Sequence, residues 1–235
     1  MHSIPTSYRI KQEYMERAEK MRREEEETLQ RRISENKEHQ LRVTEKIIRN
    51  IKEAITADKK KMEDDTQFYC PAEPSFMVAI LIKSKCGISP KPKKTLQLLR
   101  LSKINQCVIL KNNECIKKML QTCKDYVAYG YLSYELLRKL IYLRGFGRKN
   151  SSKVSLSNEN IEDVFEGKYK CVEELLDVIY FGKEDMKKVL NFLTPMNLNC
   201  PLGGFKKGRK IKTFIQGGAT NNHRELLGDL LERMI

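Results

Sequence analysis

The feature that most constrains the fold of this chain is a long stretch without helix breakers. Between Thr6 and Cys70 there is neither glycine nor proline, and the segment is rich in Glu, Lys, Arg, Gln and Met. These residue types all favour the α-helix. The sequence therefore predicts one long helix from about Ser7 to Asp65, roughly 90 Å long at ~1.5 Å per residue. We interpret residues 1–66 as a charged, helical N-terminal extension.

The apolar residues of this predicted helix bear on its partners. They are sparse until an isoleucine group at Ile47, Ile48, Ile51 and Ile55, and they do not keep the a and d positions of a heptad repeat. A coiled-coil scaffold is therefore the less favoured alternative, and we do not expect an obligate homo-oligomer. A solvated helix with charged i,i+4 pairs accounts for the middle of the segment. The isoleucine group is expected to contact a partner.

Two prolines, Pro71 and Pro74, mark the end of the helix, because proline cannot continue a helix interior. Beyond them, apolar runs that predict strands alternate with segments that predict helices. The strands are FMVAILIK (76–83), QCVILK (106–111) and YVAYGY (126–131), and the helices cover 92–104 and 114–124. This alternation predicts an α+β fold, with residues 67–132 forming a small three-stranded sheet and two helices on one face.

The C-terminal part, residues 133–235, is predicted to be a mostly helical extension. Ser133 is expected to cap a helix over 134–144, and Ser157 a short helix ending at Phe165. Further helices are predicted over 172–182 and 184–193, a short strand within IKTFIQGG (211–218), and a terminal helix over NHRELLGDLLERM (222–234).

Cysteine and histidine usage disfavours several classes of protein. The chain has seven cysteines, an odd number, with no C-x-x-C pair, and only three histidines. A disulfide framework and a zinc finger are therefore disfavoured, and we expect no metal site and no cofactor. No histidine stands beside a plausible Ser or Cys nucleophile, so we assign no catalytic residue and disfavour an RNA-modifying enzyme. The absence of a long apolar run or a signal-peptide pattern predicts a soluble, unsecreted protein with no membrane partner.

The distribution of charge indicates the kind of partner. The net charge is +14. Residues 1–66 hold 16 Lys and Arg against 15 Asp and Glu, whereas residues 67–235 hold 29 against 16. The excess therefore belongs to the region predicted to fold, where the charges hold fixed positions. A basic folded region favours a polyanionic partner such as nucleic acid.

The first of three basic clusters without acidic residues surrounds SPKPKKT (89–95), and we call it the turn cluster. Its members are Lys83, Lys85, Lys91, Lys93, Lys94, Arg100 and Lys103. Three of these lysines lie at a predicted helix start, where the helix dipole disfavours cations. A phosphate bound to the free helix amides would compensate for this, and a solvated turn is the alternative.

The second, the RGFG cluster, surrounds LRGFGRKN (143–150). Its basic members are Arg138, Lys139, Arg144, Arg148, Lys149 and Lys153, and Phe146 lies among them. Glycines on both sides of Phe146 permit close backbone approach, and the ring offers a face for stacking on a base or ribose. A small buried plug is the alternative for this phenylalanine.

The third, the glycine-bracketed cluster, lies in LGGFKKGRKIKTFIQGG (202–218). Its members are Lys206, Lys207, Arg209, Lys210 and Lys212. Glycines interspersed with cations predict a loop that phosphates order on binding, whereas a solvated loop is the alternative. The segment does not match the phosphate-binding pattern G-x-x-x-x-G-K-[ST].

Several motifs of the chain resemble those of one family, in the same order. They are FYCPAEP, GISPKPKKTLQLLRL, YVAYGY, LIYLRGFGRK, FIQGG and NHRELLGDLLERM. Over residues 68–235 the chain is similar to the L-thirty family of large-subunit ribosomal proteins, in the extended form of its eukaryotic L-seven branch. It resembles a divergent and shortened member of that branch.

The resemblance implies a ferredoxin-like L-thirty core with N- and C-terminal additions and a surface that binds ribosomal RNA. Family roles carry over to matching residues, which are Ser89, Pro90, Lys91, Lys94, Leu98, Arg100, the Arg144–Gly147 loop, Gly217, Gly218 and Arg224. We therefore expect a structural constituent of the large ribosomal subunit, acting in translation on cytoplasmic ribosomes after nucleolar assembly. Neighbouring ribosomal proteins are expected to contact the N-terminal helix. A ribosome-assembly factor of the same family, acting on pre-ribosomal RNA, is the alternative.

Overall fold

A computed structural model describes residues 6–63, 69–70, 72–205, 210 and 212–235. The chain divides into two compact units, one up to Lys59 and the other from Lys60 onward. The long helix α1 spans Thr6–Glu63, which confirms the helix predicted from the absence of glycine and proline. Leu29 and Ile33 in its middle are exposed, as expected for a solvated segment.

The central part of the second unit alternates strands and helices as the sequence predicted. The elements are β1 (Phe76–Leu81), α2 (Pro90–Leu98), β2 (Gln106–Lys111), α3 (Glu114–Thr122) and β3 (Val127–Gly130). Strand β1 lies in the centre and pairs antiparallel with both β2 and β3. The α+β class and the core of three strands and two helices are therefore confirmed.

The sheet is covered on both faces: the two helices of the core pack on one face, as predicted, and a helix of the C-terminal part packs on the other. Met77, Ala79 and Leu81 of β1 belong to the core cluster that also holds residues of α2 and α3. On the other face, the Phe76 ring lies 6.1 Å from that of Tyr180 in a later helix. The reason is visible in FMVAIL, where all six residues are buried, because a strand without polar alternation needs cover on both sides.

The C-terminal part adds helices, a hairpin and two edge strands. Its elements are α4 (Tyr134–Arg144), β4 (Gly147–Lys149), β5 (Ser152–Val154), α5 (Asn158–Val164), α6 (Val172–Phe181), α7 (Met186–Phe192), β6 (Met196–Asn197), β7 (Asn221–Arg224) and α8 (Leu227–Glu232). The five-stranded sheet has the order β6-β2-β1-β3-β7. The hydroxyls of Ser133 and Ser157 accept hydrogen bonds from the amides of Leu136 and Asn160, which confirms both predicted caps. No helix in the described ranges is long and apolar enough to cross a membrane.

Two local predictions near the C-terminus were wrong. Instead of the strand predicted within 211–218, residues Phe214–Gln216 form a 3₁₀ turn that ends at Gly217 in the left-handed region. The terminal helix begins only at Leu227, because the segment before it forms β7 and pairs in parallel with β3. Positive φ angles at Asn221 and Arg224 are incompatible with an α-helix over those residues.

Candidate nucleic-acid interface

The start of α2 presents the exposed part of the turn cluster. Lys91, Lys93 and Lys94 are exposed in its first turns, and this first turn contains no acidic residue. Burial lowers the pKa of Lys85, and the nearby charge of Lys93 lowers it further. These lysines therefore crowd positive charge at the helix end where the dipole is also positive, an arrangement that attracts anions.

The remaining members of the turn cluster have different surroundings. Lys103 is exposed, and the Lys83 ammonium lies 5.6 Å from the centroid of the Tyr126 ring. Arg100 is half-buried and donates hydrogen bonds to the carbonyl oxygens of Leu190 at 2.8 Å and Leu193 at 3.1 Å. Arg100 thus caps the last turn of α7 and is used within the fold, and its predicted contact with RNA stays a prediction.

The turn cluster and the RGFG cluster meet at Arg100. Burial is the larger cause of the lowered pKa of Arg100, and the positive charge of Arg148 is the second. Arg148 is exposed on β4, and Arg100 donates to Leu193, which pairs with Gly147 at the start of β4, so the two regions approach each other at Arg100. We call the exposed cations of the two regions the joined basic face and define it by Lys91, Lys93, Lys94, Arg148 and Lys153.

A hairpin follows the loop that holds Phe146. Strands β4 and β5 pair antiparallel, with Arg148 opposite Lys153. The Lys153 ammonium lies 3.7 Å from the centroid of the Phe146 ring, and this ring is exposed, so the buried-plug alternative was wrong. Lys149 instead pairs with Asp163 of α5 at 2.8 Å.

Three predicted residues on α4 are engaged within the fold. Arg138 donates to Glu173 at 2.7 Å, and Lys139 lies 3.4 Å from Glu232. The Arg144 guanidinium donates to the backbone oxygen of Ile235. Sequence reasoning could not separate these cations from the exposed ones, because their acceptors lie between 35 and 93 residues away along the chain.

The glycine-bracketed cluster is only partly described. Lys206, Lys207 and Arg209 lie outside the described residues. The Lys210 ammonium lies 5.3 Å from the centroid of the Phe205 ring, and Lys212 is exposed.

Arg224 is exposed on β7 and has a positive φ of 51°. Its backbone packs against Gly130 so closely that a Cβ at Gly130 would overlap it. The glycine that ends β3 is therefore what allows β7, and with it Arg224, to lie beside the sheet.

A cleft that the sequence did not predict lies between the 3₁₀ turn and α8. It has a volume of about 350 Å³ and is lined by Phe205, Phe214, His223, Asp229 and Arg233, among others. The His223 ring is buried and lies 4.1 Å from the Phe214 ring, and its Nε2 is 3.1 Å from the Ala219 oxygen. A lone histidine near a terminal helix gives no sequence signal for such a position.

Buried thiols have little capacity for nucleophilic chemistry here. Burial raises the pKa of Cys123 to about 11 and also raises that of Cys107 and Cys171. Such thiols stay protonated at neutral pH, and the thiolate is the reactive form. The exposed functional groups described above are instead the cations of the α+β unit.

Comparison with known proteins identifies one family. The sequence pattern of the family described as "Ribosomal protein L30p/L7e" matches residues 77–127, the segment from β1 to the start of β3. The large ribosomal subunit protein uL30 of Encephalitozoon cuniculi is 45% identical over 238 residues, covering 100% of this chain and 98% of that protein.

More distant relatives bear the same name. The uL30 protein of Eremothecium gossypii is 36% identical, with 86% of this chain and 87% of that protein covered. The uL30B protein of Schizosaccharomyces pombe is 38% identical, with 75% of this chain and 71% of that protein covered. The chain belongs to the ribosomal protein L30p/L7e family.

Proposed function

We propose that this protein is a structural constituent of the large ribosomal subunit and that it holds ribosomal RNA against the joined basic face. The observation that carries the proposal is the approach of the turn and RGFG clusters at Arg100, whose guanidinium donates to Leu193, the residue that pairs with Gly147 at the start of the hairpin. The relatives named as large-subunit proteins support the same function, because one of them is similar over the whole length of this chain.

The physical basis is phosphate binding by fixed cations. Lysines at the start of α2 meet a phosphate together with the amides of a helix N-terminus, which favour negative charge. Each phosphate contact releases condensed counterions, so the affinity falls as the salt concentration rises. Contacts of this kind position RNA without reading its sequence.

The other parts of the chain are assigned complementary roles. Residues 67–132 are the L-thirty core, residues 133–235 an extension that carries the glycine-bracketed loop, and residues 1–66 a helical arm. The arm contacts neighbouring ribosomal proteins, since a helix of 58 residues with an exposed, highly charged middle gains little stability by itself. The protein acts on cytoplasmic ribosomes after assembly in the nucleolus.

Quantitative sedimentation of native lysate on sucrose gradients tests this function. We expect one copy of the chain per large subunit, in polysomes, that follows the large subunit when magnesium chelation separates the subunits. Presence only in pre-ribosomal fractions contradicts the proposal and favours an assembly factor. Sedimentation as a free small species contradicts both.

A further inference from the structure

Phe146 has an exposed ring, whereas its backbone is fixed by close packing at the neighbouring glycines and by hydrogen bonds. Its side chain is 40% exposed, although a Cβ at Gly145 or Gly147 would overlap neighbouring atoms, those of the Phe192 ring in the case of Gly147. The Phe146 oxygen accepts hydrogen bonds from the amide of Thr194 at 2.9 Å and from its hydroxyl at 3.1 Å. A ring on a fixed backbone loses little freedom when it binds a partner.

Two cations of the hairpin, Lys153 and Arg148, lie close to this ring. The Lys153 ammonium lies over the ring, 3.7 Å from its centroid, and the exposed part of the ring offers an apolar surface on which a flat group can stack. Arg148 is opposite Lys153 in the hairpin, so both side chains project from the same side of the two strands. Neither forms an ion pair with an acid among the residues that the structure describes.

We propose that Phe146 is a stacking platform for one unpaired base of the bound RNA, with Lys153 and Arg148 holding the phosphates next to that base. This inference rests on the RNA-binding function proposed above. Bases inside a duplex are already stacked, whereas a bulged or looped base can turn its face to an aromatic side chain. The ligand class is therefore RNA that carries an unpaired nucleotide next to a duplex.

The adjoining turn cluster accounts for the duplex part of this ligand. Arg100, directly after the C-cap of α2, donates to Leu193, which pairs with Gly147 at the start of the hairpin, so the hairpin lies beside the C-terminal end of α2. Lys91, Lys93 and Lys94 are exposed in the first turns of the same helix, and contacts of such point charges with phosphates do not depend on base identity. The surface thus separates into a part that binds any duplex and one position that selects an unpaired base.

Two short RNA hairpins test the inference with the full-length chain. One carries a bulged 2-aminopurine, and its matched partner carries the same 2-aminopurine in a base pair. We expect the protein to bind the bulged hairpin more tightly by roughly 5- to 100-fold, as one base–aromatic stack provides, and to quench its fluorescence.

Variants at exposed phenylalanines make the test specific. Phe146→Ala is expected to lose the preference and the quenching while keeping its affinity for the paired hairpin and the salt dependence. Phe146→Trp is expected to restore both properties, which excludes a folding defect at this position. Phe181→Ala is the matched control, because Phe181 is 37% exposed at the end of α6 and is not part of the joined basic face.

The contrary outcomes are distinguishable. Equal binding of both hairpins by the wild-type chain, with salt dependence intact, overturns the platform and leaves the RNA-binding function standing. An equal loss for both hairpins in Phe146→Ala also overturns it, since the ring is then a general contact. Absence of salt-dependent binding to either hairpin contradicts the RNA-binding function itself.

Discussion

The buried carboxylate of Glu173 accepts a hydrogen bond from the Nε of Arg138 at 2.7 Å, although the Arg138 side chain is 44% exposed and that of Glu173 is fully buried. The hydroxyls of Tyr134 and Tyr142 donate to the same carboxylate at 2.9 and 2.8 Å. Burial and the adjacent Glu173 raise the pKa of Tyr134, so its hydroxyl keeps the proton that it donates. The carboxylate thus joins α4 to α6.

Replacing Glu173 with Gln removes the charge and turns one acceptor atom into a donor. Because at least one buried donor then loses its partner, we expect the free energy of unfolding to fall by about 1.5 to 3 kcal/mol. Denaturant unfolding followed by tyrosine fluorescence measures this. Glu225→Gln, the same change at an exposed position, is the control and should cost less than ~0.5 kcal/mol. Equal effects of the two variants contradict the role of the network.

Arg100 is expected to affect stability in two opposite ways: its side chain stabilises the fold, whereas its backbone conformation is strained. Its guanidinium caps α7, and its φ is +60°, a region that favours glycine. Arg100→Ala should lower the free energy of unfolding by about 1 to 3 kcal/mol because the α7 carbonyls lose their donor. Arg100→Gly should be less damaging than Arg100→Ala by ~1 kcal/mol, since glycine adopts positive φ without strain. The reverse order in a denaturation experiment contradicts this account.

Leu98 and Leu99 provide a matched pair at the end of α2. Leu99 is 3% exposed and belongs to the core cluster, whereas Leu98 is 64% exposed. We expect Leu99→Ala to lower the free energy of unfolding by roughly 2 to 5 kcal/mol through the lost burial and the cavity it leaves. Leu98→Ala should change it by less than ~0.5 kcal/mol. Similar losses in both variants would mean that α2 packs through a different face.

The elements that could be predicted from the sequence are those with a local signal. The stretch without glycine and proline predicted α1, and the apolar run FMVAIL predicted β1. Strand β6 has only two residues, too few for any periodicity, and it exists because Gln106 and Cys107 of β2 lie opposite it. Its pairing is a long-range contact that no local pattern encodes.

The candidate site, too, depends on long-range contacts that the sequence does not reveal. The three basic clusters were visible as runs without acidic residues, but their members have unlike surroundings in the folded chain. Arg138 and Lys153 look alike in sequence, yet the first bonds a buried carboxylate and the second covers an aromatic ring. The difference depends on Glu173, which is 35 residues from Arg138, and on the hairpin turn that brings Lys153 to Phe146.

Salt dependence of RNA binding distinguishes the lysines of the joined basic face from other surface lysines. If Lys91, Lys93 and Lys94 each contact a phosphate, replacing all three with Ala should reduce the slope of log affinity against log salt by about 2 to 3. Electrophoretic mobility shifts at several salt concentrations measure the slope.

The control for this experiment removes the same number of charges elsewhere. Lys118, Lys168 and Lys183 each pair with an acidic residue of the protein. Replacing these three with Ala should weaken binding through the lower net charge but leave most of the slope. An equal reduction of the slope in both triple variants shows that net charge, and not the position of the lysines, determines binding.

His223 links the stability of the fold to pH. The ring is 5% exposed and stacks on Phe214, and burial lowers its pKa, while the hydrogen bond to Ala219 opposes this shift. The charged groups at the adjoining cleft are Asp229 and Arg233. Because the folded state has the lower pKa, the unfolded state binds a proton first as the pH falls. The stabilisation that comes from the neutral His223 ring is therefore complete at pH values above the histidine pKa of the unfolded chain, ~6.5, and is lost as the pH falls below it.

We accordingly expect the free energy of unfolding to decrease between pH 7.5 and pH 5.5, by at most ~1.4 kcal/mol per pH unit from this one histidine. The carboxyls of Glu73 and Asp185, whose pKa values are lowered from 4.5 and 3.8, affect stability only at more acidic pH. The His223→Gln variant should therefore show a flatter profile over this range. A nuclear magnetic resonance titration of the histidine ring checks the pKa directly. A His223 pKa at or above the unfolded value, or an unchanged profile in the variant, contradicts the assignment.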